Sequence, residues 1–290
     1  MKTINIGKKS FLYPIPMIKK IALVFGIVIL TGLSMLFILD SGKNYEKIYS
    51  EILDETRPFL VHLPEGYENS TKRYPVLYML DGGDRKVHSK DIPRYSQAVS
   101  TLKQLDYTKI PEMILIGVAN TDRQRDMLPV KIDLFASGGG ADKFLKFLED
   151  ELIPYVNRNY RTIPLRILYG MSDSGLFSVY ALLTSPDSFS GYIASSPSLG
   201  YCPGLIHQKA EKLFEKKEPV RKLLYITYCS KDTPFCNTAV PPFEEKIIKM
   251  QSKGFRLGVK VVEGKCHIPE TGLKDGLGFI FHHLGAYNEK

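Results

Sequence analysis

The stretch 166–183, RILYGMSDSGLFSVYALL, constrains this chain more than any other. Its apolar start (Ile167, Leu168, Tyr169) fits a buried strand, and Leu176, Phe177, Val179, Tyr180 and Leu183 recur at helical spacing beyond a turn of small residues. A strand can turn this sharply into a helix only if the flanking residues are small, and the turn pushes the residue at its apex out above the sheet. Here that residue is Ser172, bracketed by Gly170 and Gly175. A serine in a turn also makes a good helix cap, but the two glycines favour a nucleophile elbow. A serine hydroxyl alone is a weak nucleophile, so a base and an orienting acid must come from elsewhere in the chain.

The surroundings suit that turn. Tyr74–Leu80, Met113–Ala119, Leu165–Tyr169, Tyr192–Ala194 and Leu223–Tyr228 are short runs without polar alternation, as expected of strands buried on both faces of a parallel sheet. Leu257–Val262 alternates and reads as one more strand. Arg57–Pro64 reads as an early edge strand, behind a polar spacer at Asn44–Leu53. Ala141–Val156 carries Phe144, Leu145, Leu148, Leu152 and Val156 on one helical stripe. Weaker helical patterns cover Tyr95–Leu105, Leu176–Leu183, Leu205–Phe214, Phe243–Met250 and Leu273–Leu284. Strand and helix thus alternate from Tyr74 onward, which predicts an α/β fold: a mostly parallel central sheet with helices on both faces. Ser137-Gly138-Gly139-Gly140 reads as a flexible joint at the site mouth.

In such sheets catalytic groups gather at the carboxyl ends of the strands. Ser172, Asp232 and His267 each follow a predicted strand, in the order nucleophile, acid, base. His267 is the base by elimination: His62, His88 and His207 come too early, and His282 and His283 fall on the last helix. Asp232 is the carboxylate at its strand end, although Ser230–Pro234 would also suit a plain turn. The oxyanion hole is expected from backbone N–H groups, that of Asp173 and one from Gly82 or Gly83.

The amino-terminal segment differs from this body. The formal net charge is +8. Five of those charges come from residues 1–44, where Lys2, Lys8, Lys9, Lys19, Lys20 and Lys43 face a single acid, Asp40. The body is therefore nearly balanced, which argues against nucleic acid as a partner. Ile21–Leu39 is a run of 19 residues without a charge, close to the ~20 that span a bilayer core. A cleaved signal has a shorter apolar core and a small-residue cleavage site, whereas this run ends Phe37-Ile38-Leu39-Asp40-Ser41. The expectation is a basic cytoplasmic tail (1–20), a transmembrane anchor (21–39), a linker (40–50) and an outward-facing body (51–290). The four cysteines, Cys202, Cys229, Cys236 and Cys266, lie in the carboxyl-terminal third. They lack a C-x-x-C pair, which excludes the usual zinc spacing and leaves three disulfide connectivities open, with free thiols the alternative.

The segments YPVLYMLDGG, MILIGVANTDRQRDMLP, GGADKFLKFLEDELIPYVNRNYRT, RILYGMSDSGLFSVYALLTSPDSFSGYIASSPSL and GKCHIPETGLKDGLGFIF resemble, in order and over about residues 50–285, the esterase family of the α/β-hydrolases. That family includes enterochelin and related siderophore esterases, S-formylglutathione hydrolases, feruloyl esterases and mycolyltransferases. The resemblance implies an α/β-hydrolase fold with Ser172 as nucleophile, His267 as base and Asp232 as acid. It also implies that Asn120–Pro129 lies near the substrate entrance, where Arg123 and Arg125 would meet an anionic or catecholate substrate. The elbow departs from the family's Gly-His-Ser-x-Gly-Gly: Met171 replaces the His, Asp173 takes the variable position and Ser174 replaces the first paired glycine. Ser174 is expected to loosen the elbow, and Asp173 to oppose negative charge developing beside it.

These readings converge on a membrane-anchored serine hydrolase that cleaves carboxylic esters, of a siderophore or another acyl ester, through an acyl-enzyme, with no metal and no organic cofactor. The altered elbow leaves two alternatives: a degenerate hydrolase fold that binds without chemistry, and an acyltransferase in which an alcohol replaces water.

Overall fold

The computed structural model describes residues 45–83, 94–215, 219–250 and 254–288. The expected tail and anchor, 1–39, lie outside these residues; among those described, no helix is long and apolar enough to cross a membrane. The folded body is one compact unit that begins at Tyr45. Within it, eight strands form one sheet: β1 (Tyr45–Ser50), β2 (Glu55–His62), β3 (Tyr74–Met79), β4 (Ile114–Val118), β5 (Thr162–Met171), β6 (Gly191–Ser195), β7 (Leu223–Cys229) and β8 (Arg256–Val262). Their spatial order is β1-β2-β4-β3-β5-β6-β7-β8. The β1/β2 and β2/β4 pairs are antiparallel, and every later pair is parallel.

The parallel strands are apolar throughout because both of their faces are covered. On β3 the side chains alternate: Val76 and Tyr78 enter the core layer of one face, Leu77 and Met79 that of the other. The helices Asp173–Thr184, Pro203–Phe214 and Val240–Met250 cover the first face, and Arg94–Lys103 and Gly272–Asn288 the second. The expected doubly covered sheet is therefore present.

Three local expectations change. Residues 45–50, read as part of the linker, form strand β1, so β2 is an interior strand rather than the edge. The long helix expected over Ala141–Val156 is a helix at Ala141–Phe147, a π-helical turn at Leu148–Leu152 and a helix at Ile153–Asn159. Pro154 lacks an amide proton, and widening the preceding turn accommodates the missing bond. Ser137–Gly140 is tied down: Gly139 N–H donates to the Leu128 carbonyl, Gly140 N–H to that of Arg125, and Ser137 Oγ to Asp122.

Candidate active site

Ser172 closes β5, the strand flanked by β3 and β6, and opens the helix Asp173–Thr184. Its backbone is held at φ +59°, ψ −117°, a conformation that non-glycine residues keep only where the surroundings impose it. The surroundings do so here. Ser172 N–H donates to the Ser195 carbonyl at 2.9 Å, and its own carbonyl accepts from Leu176 N–H at 2.9 Å and Ser198 N–H at 3.1 Å. Glycine is required at 170, since a Cβ there would lie 1.9 Å from the Ser174 carbonyl oxygen. Strand and helix meet at this elbow with no room for a side chain, as its small residues imply.

Asp232 and His267 come together as a pair. Asp232 follows β7 in a turn closed by its own N–H donating to the Cys229 carbonyl. His267 follows β8, and its Nδ1 lies 2.7 Å from Asp232 Oδ1. An ionised carboxylate only accepts hydrogen bonds, so Nδ1 carries the proton and the Nε2 lone pair is left free. Burial alone would raise the Asp232 carboxyl. Hydrogen bonds from Ser196 Oγ, His267 and the Thr233 amide outweigh that effect and hold it below the ordinary carboxylate range. A disulfide joins Cys229, at the end of β7, to Cys266, next to the imidazole, while Cys202 and Cys236 are buried free thiols. The outcome is one disulfide with two free thiols, between a two-disulfide connectivity and four free thiols.

The segment Ser195–Ser198, after β6, links this pair to the elbow. Ser198 Oγ is 3.4 Å from Ser172 Oγ, and Ser196 Oγ donates to Asp232 Oδ2 at 2.6 Å. Ser172 makes no hydrogen bond to His267. Such contacts often tighten only when substrate is seated. Neither Ser196 nor Ser198 stood out in the sequence; the available signal was a polar run, Ser195-Ser196-Pro197-Ser198, at the carboxyl end of a strand.

Both arginines expected at the substrate entrance are committed elsewhere. Arg123 Nε and Nη2 each donate to one oxygen of Asp81 at 2.9 Å, and Nη1 pairs with Asp173. Arg125 pairs with Glu55 at 2.8 Å and Asp126 at 2.8 Å. Arg123, whose donors face two nearly buried carboxylates, has little left to offer an anionic substrate, whereas Arg125 and its partner Glu55 are partly exposed. The Asp173 expectation changes with it: the carboxylate is neutralised by Arg123 and accepts from Ser198 Oγ at 3.1 Å. Ser174 does not loosen the elbow. Its Oγ accepts from Met171 N–H at 2.8 Å and donates to Asp81 Oδ2 at 2.8 Å, so it ties helix, strand end and network together. Asp81 is itself held at φ +55°. Burial pushes its carboxyl up, and the Arg123 charge and hydrogen bonds bring it below the ordinary range.

Of the two glycines proposed for the oxyanion hole, Gly82 drops out, because its N–H donates to the Val118 carbonyl at 2.9 Å. Gly83 and Asp173 remain. The Asp173 amide opens a helix, where the first amides have no intrahelical acceptor.

Comparison with known proteins identifies the family. The family model described as "Putative esterase" matches residues 50–267. The siderophore triacetylfusarinine C esterase of Aspergillus fumigatus is 29% identical over 184 residues, 60% of this chain and 63% of its own length. Ferri-bacillibactin esterase BesA of Bacillus subtilis is 28% identical over 206 residues, 63% of this chain and 66% of its own length. The chain thus spans just under two thirds of the length of these curated relatives. Among solved structures, an IroE-like serine hydrolase from Shewanella oneidensis superposes with a TM-score of 0.71 at 28% identity, covering 83% of this chain and 80% of that one. The BES protein from Bacillus cereus superposes at 0.70 with 22% identity over 83% and 95% of the two chains, a likeness of fold.

Proposed function

This chain belongs to the esterase family, and from that premise we propose that it hydrolyses carboxylic esters with Ser172 as nucleophile, His267 as general base and Asp232 as the orienting acid. The observation that carries this reading is the 2.7 Å Asp232–His267 pair, which leaves Nε2 free, together with a serine held in the elbow conformation. Ser172 Oγ attacks the ester carbonyl carbon while His267 Nε2 takes its proton. The oxyanion of the tetrahedral intermediate faces the amides of Asp173 and Gly83, each such donor being worth about 3–4 kcal/mol of barrier. The C–O bond breaks, the imidazolium returns the proton to the departing alcohol, and water releases the acyl group by the same steps in reverse. The named relatives favour a siderophore ester as substrate.

A fluorophosphonate probe and a panel of acyl esters that includes a ferric catecholate siderophore test this reading. Wild-type protein should be labelled and active, and Ser172→Ala should lose both, with kcat falling about 10⁶-fold. A folded wild-type protein that takes no label supports a binding module instead. Acyl transfer to added alcohol, faster than hydrolysis, supports an acyltransferase.

The placement proposed is a body held outside a membrane. Support comes from the 19-residue uncharged run Ile21–Leu39 preceded by five lysines, all outside the described residues. A reporter that works only outside the cytoplasm, fused after Lys290, should be active; an inactive fusion reverses the topology.

A further inference from the structure

One hydroxyl touches both the acid and the main chain next to the base. Ser196 Oγ–H donates to Asp232 Oδ2 at 2.6 Å, and the same oxygen accepts from the N–H of Ile268 at 2.9 Å. A hydroxyl has one proton to give and two lone pairs to receive, so the two roles are compatible. The other Asp232 oxygen meets His267 Nδ1, and His267 is bonded through the chain to Ile268. Ser196, Asp232, His267 and Ile268 therefore close a ring. We propose that Ser196 is a positioning residue of the acid–base pair: it fixes the Asp232 carboxylate and the main chain beside the imidazole at once, so that neither can turn without the other. This inference rests on the catalytic reading above.

Three observations carry it. First, packing alone does not immobilise the imidazole, since the His267 side chain is 37% exposed. Its orientation falls to the tethers around it. Second, Ser196 is fully buried, and its own N–H donates to the Thr227 carbonyl at 2.7 Å, so the hydroxyl projects from a fixed point on the sheet. Third, the backbone on both sides of the ring is left-handed without glycine: φ is +46° at Ser196, just before Pro197, and +67° at Ile268. Of the five non-glycine residues with positive φ among those described, Asp81, Ser172, Ser196 and Ile268 flank the site, and only Asp54 does not. Strain of this kind persists where surrounding structure imposes it and clusters at functional sites.

A merely structural Ser196 would satisfy buried polar groups and leave the rate alone, and the experiment separates the two roles. Glycine takes φ +46° without strain, so Ser196→Gly removes the hydroxyl at a position its backbone suits; Ser196→Ala is the companion variant. Steady-state kinetics on a small aryl ester should show kcat falling roughly tenfold to hundredfold, with KM within about twofold of wild type. Independently of turnover, the far-downfield proton resonance of the His267 Nδ1–H, present in wild type and absent in His267→Ala, should broaden or move upfield in Ser196→Gly. Wild-type kcat together with an unchanged resonance in Ser196→Gly, while Ser172→Ala is inactive, overturns the proposal. If Ser172→Ala hydrolyses like wild type, the catalytic reading fails instead, and the resonance alone decides whether Ser196 orients the pair.

Discussion

Strand β5 runs through the interior of the sheet and β8 along its edge, and the groups that follow them are held by different forces. Around Ser172 the scaffold is buried charge. Arg123 bridges Asp81 and Asp173, whose side chains are 6% exposed, and Ser174 fastens the same cluster to the elbow. The His267 side chain meets a single carboxylate, that of Asp232. Strand β8 has one hydrogen-bonded neighbour, most of its residues are partly or fully exposed, and the imidazole behind it is half-open to solvent. There the chain uses the Cys229–Cys266 disulfide, the Ser196 hydroxyl and a single carboxylate. An interior position can be fixed by enclosing ion pairs in low dielectric. The imidazole at the edge is too open for that, and a covalent link does the same task without depending on burial.

Asp232→Asn keeps the shape of the edge half but removes the carboxylate that selects the imidazole tautomer, and kcat should fall about 10³–10⁴-fold. A loss of under tenfold in steady-state assays would mean that the pair does not orient the base. On the interior side the largest effect is on stability. Arg123→Ala leaves the nearly buried Asp173 without its cation and Asp81 with only Arg94, at 3.4 Å, which should cost about 3–5 kcal/mol in chemical denaturation. A cost below about 1 kcal/mol, the range of exposed pairs, would show that the network is solvated and that the contrast between interior and edge is false.

Much of this division was readable in the chain, and what was not has a physical reason. The buried strands β3, β4 and β7 announce themselves as unbroken apolar runs, and Gly170 marks the elbow by a steric demand that other residues cannot meet, with Gly175 tightly packed beside it. The placement of Ser172, Asp232 and His267 after β5, β7 and β8 follows from strand order. Strand β1, YEKIYS, was missed because an outer strand carries charge and no apolar run. The ion pairs of the arginines are not legible because residue type does not reveal a partner: Asp81 and Asp173 lie 42 and 50 positions from Arg123. Ser196 escaped because a small polar residue at a strand end looks the same whether it caps a turn or holds a carboxylate.

The disulfide offers a smaller and more specific test of the edge half. It closes a loop spanning 37 positions, and removing it in a Cys229→Ser, Cys266→Ser double variant should cost about 2–4 kcal/mol. The contrast between the halves makes a sharper claim. In the folded double variant, fluorophosphonate labelling of Ser172 should slow more than the loss of folded protein explains, because the base loosens while the elbow does not. Labelling that falls only in proportion to the folded fraction would assign the disulfide to general stability.

The smallest effect expected is on acid sensitivity, and it draws on both halves. Asp81 and Asp232 each titrate below the ordinary carboxylate range in the folded chain. A depressed folded pKa means that the unfolded chain takes up its proton first as pH falls. The stability each carboxylate contributes is therefore complete above about pH 4 and drains away below it. Each group can add at most about 1.4 kcal/mol per pH unit to the slope of stability against pH in that window. Asp232→Asn should flatten the slope below pH 4 by up to one group's share, leaving the share of Asp81, which follows from its pairing with Arg123. Urea denaturation at a series of acidic pH values measures this directly. A slope parallel to wild type would mean that the edge carboxylate gains nothing from His267 and Ser196 in the folded state, and that the acid sensitivity belongs to the interior network alone.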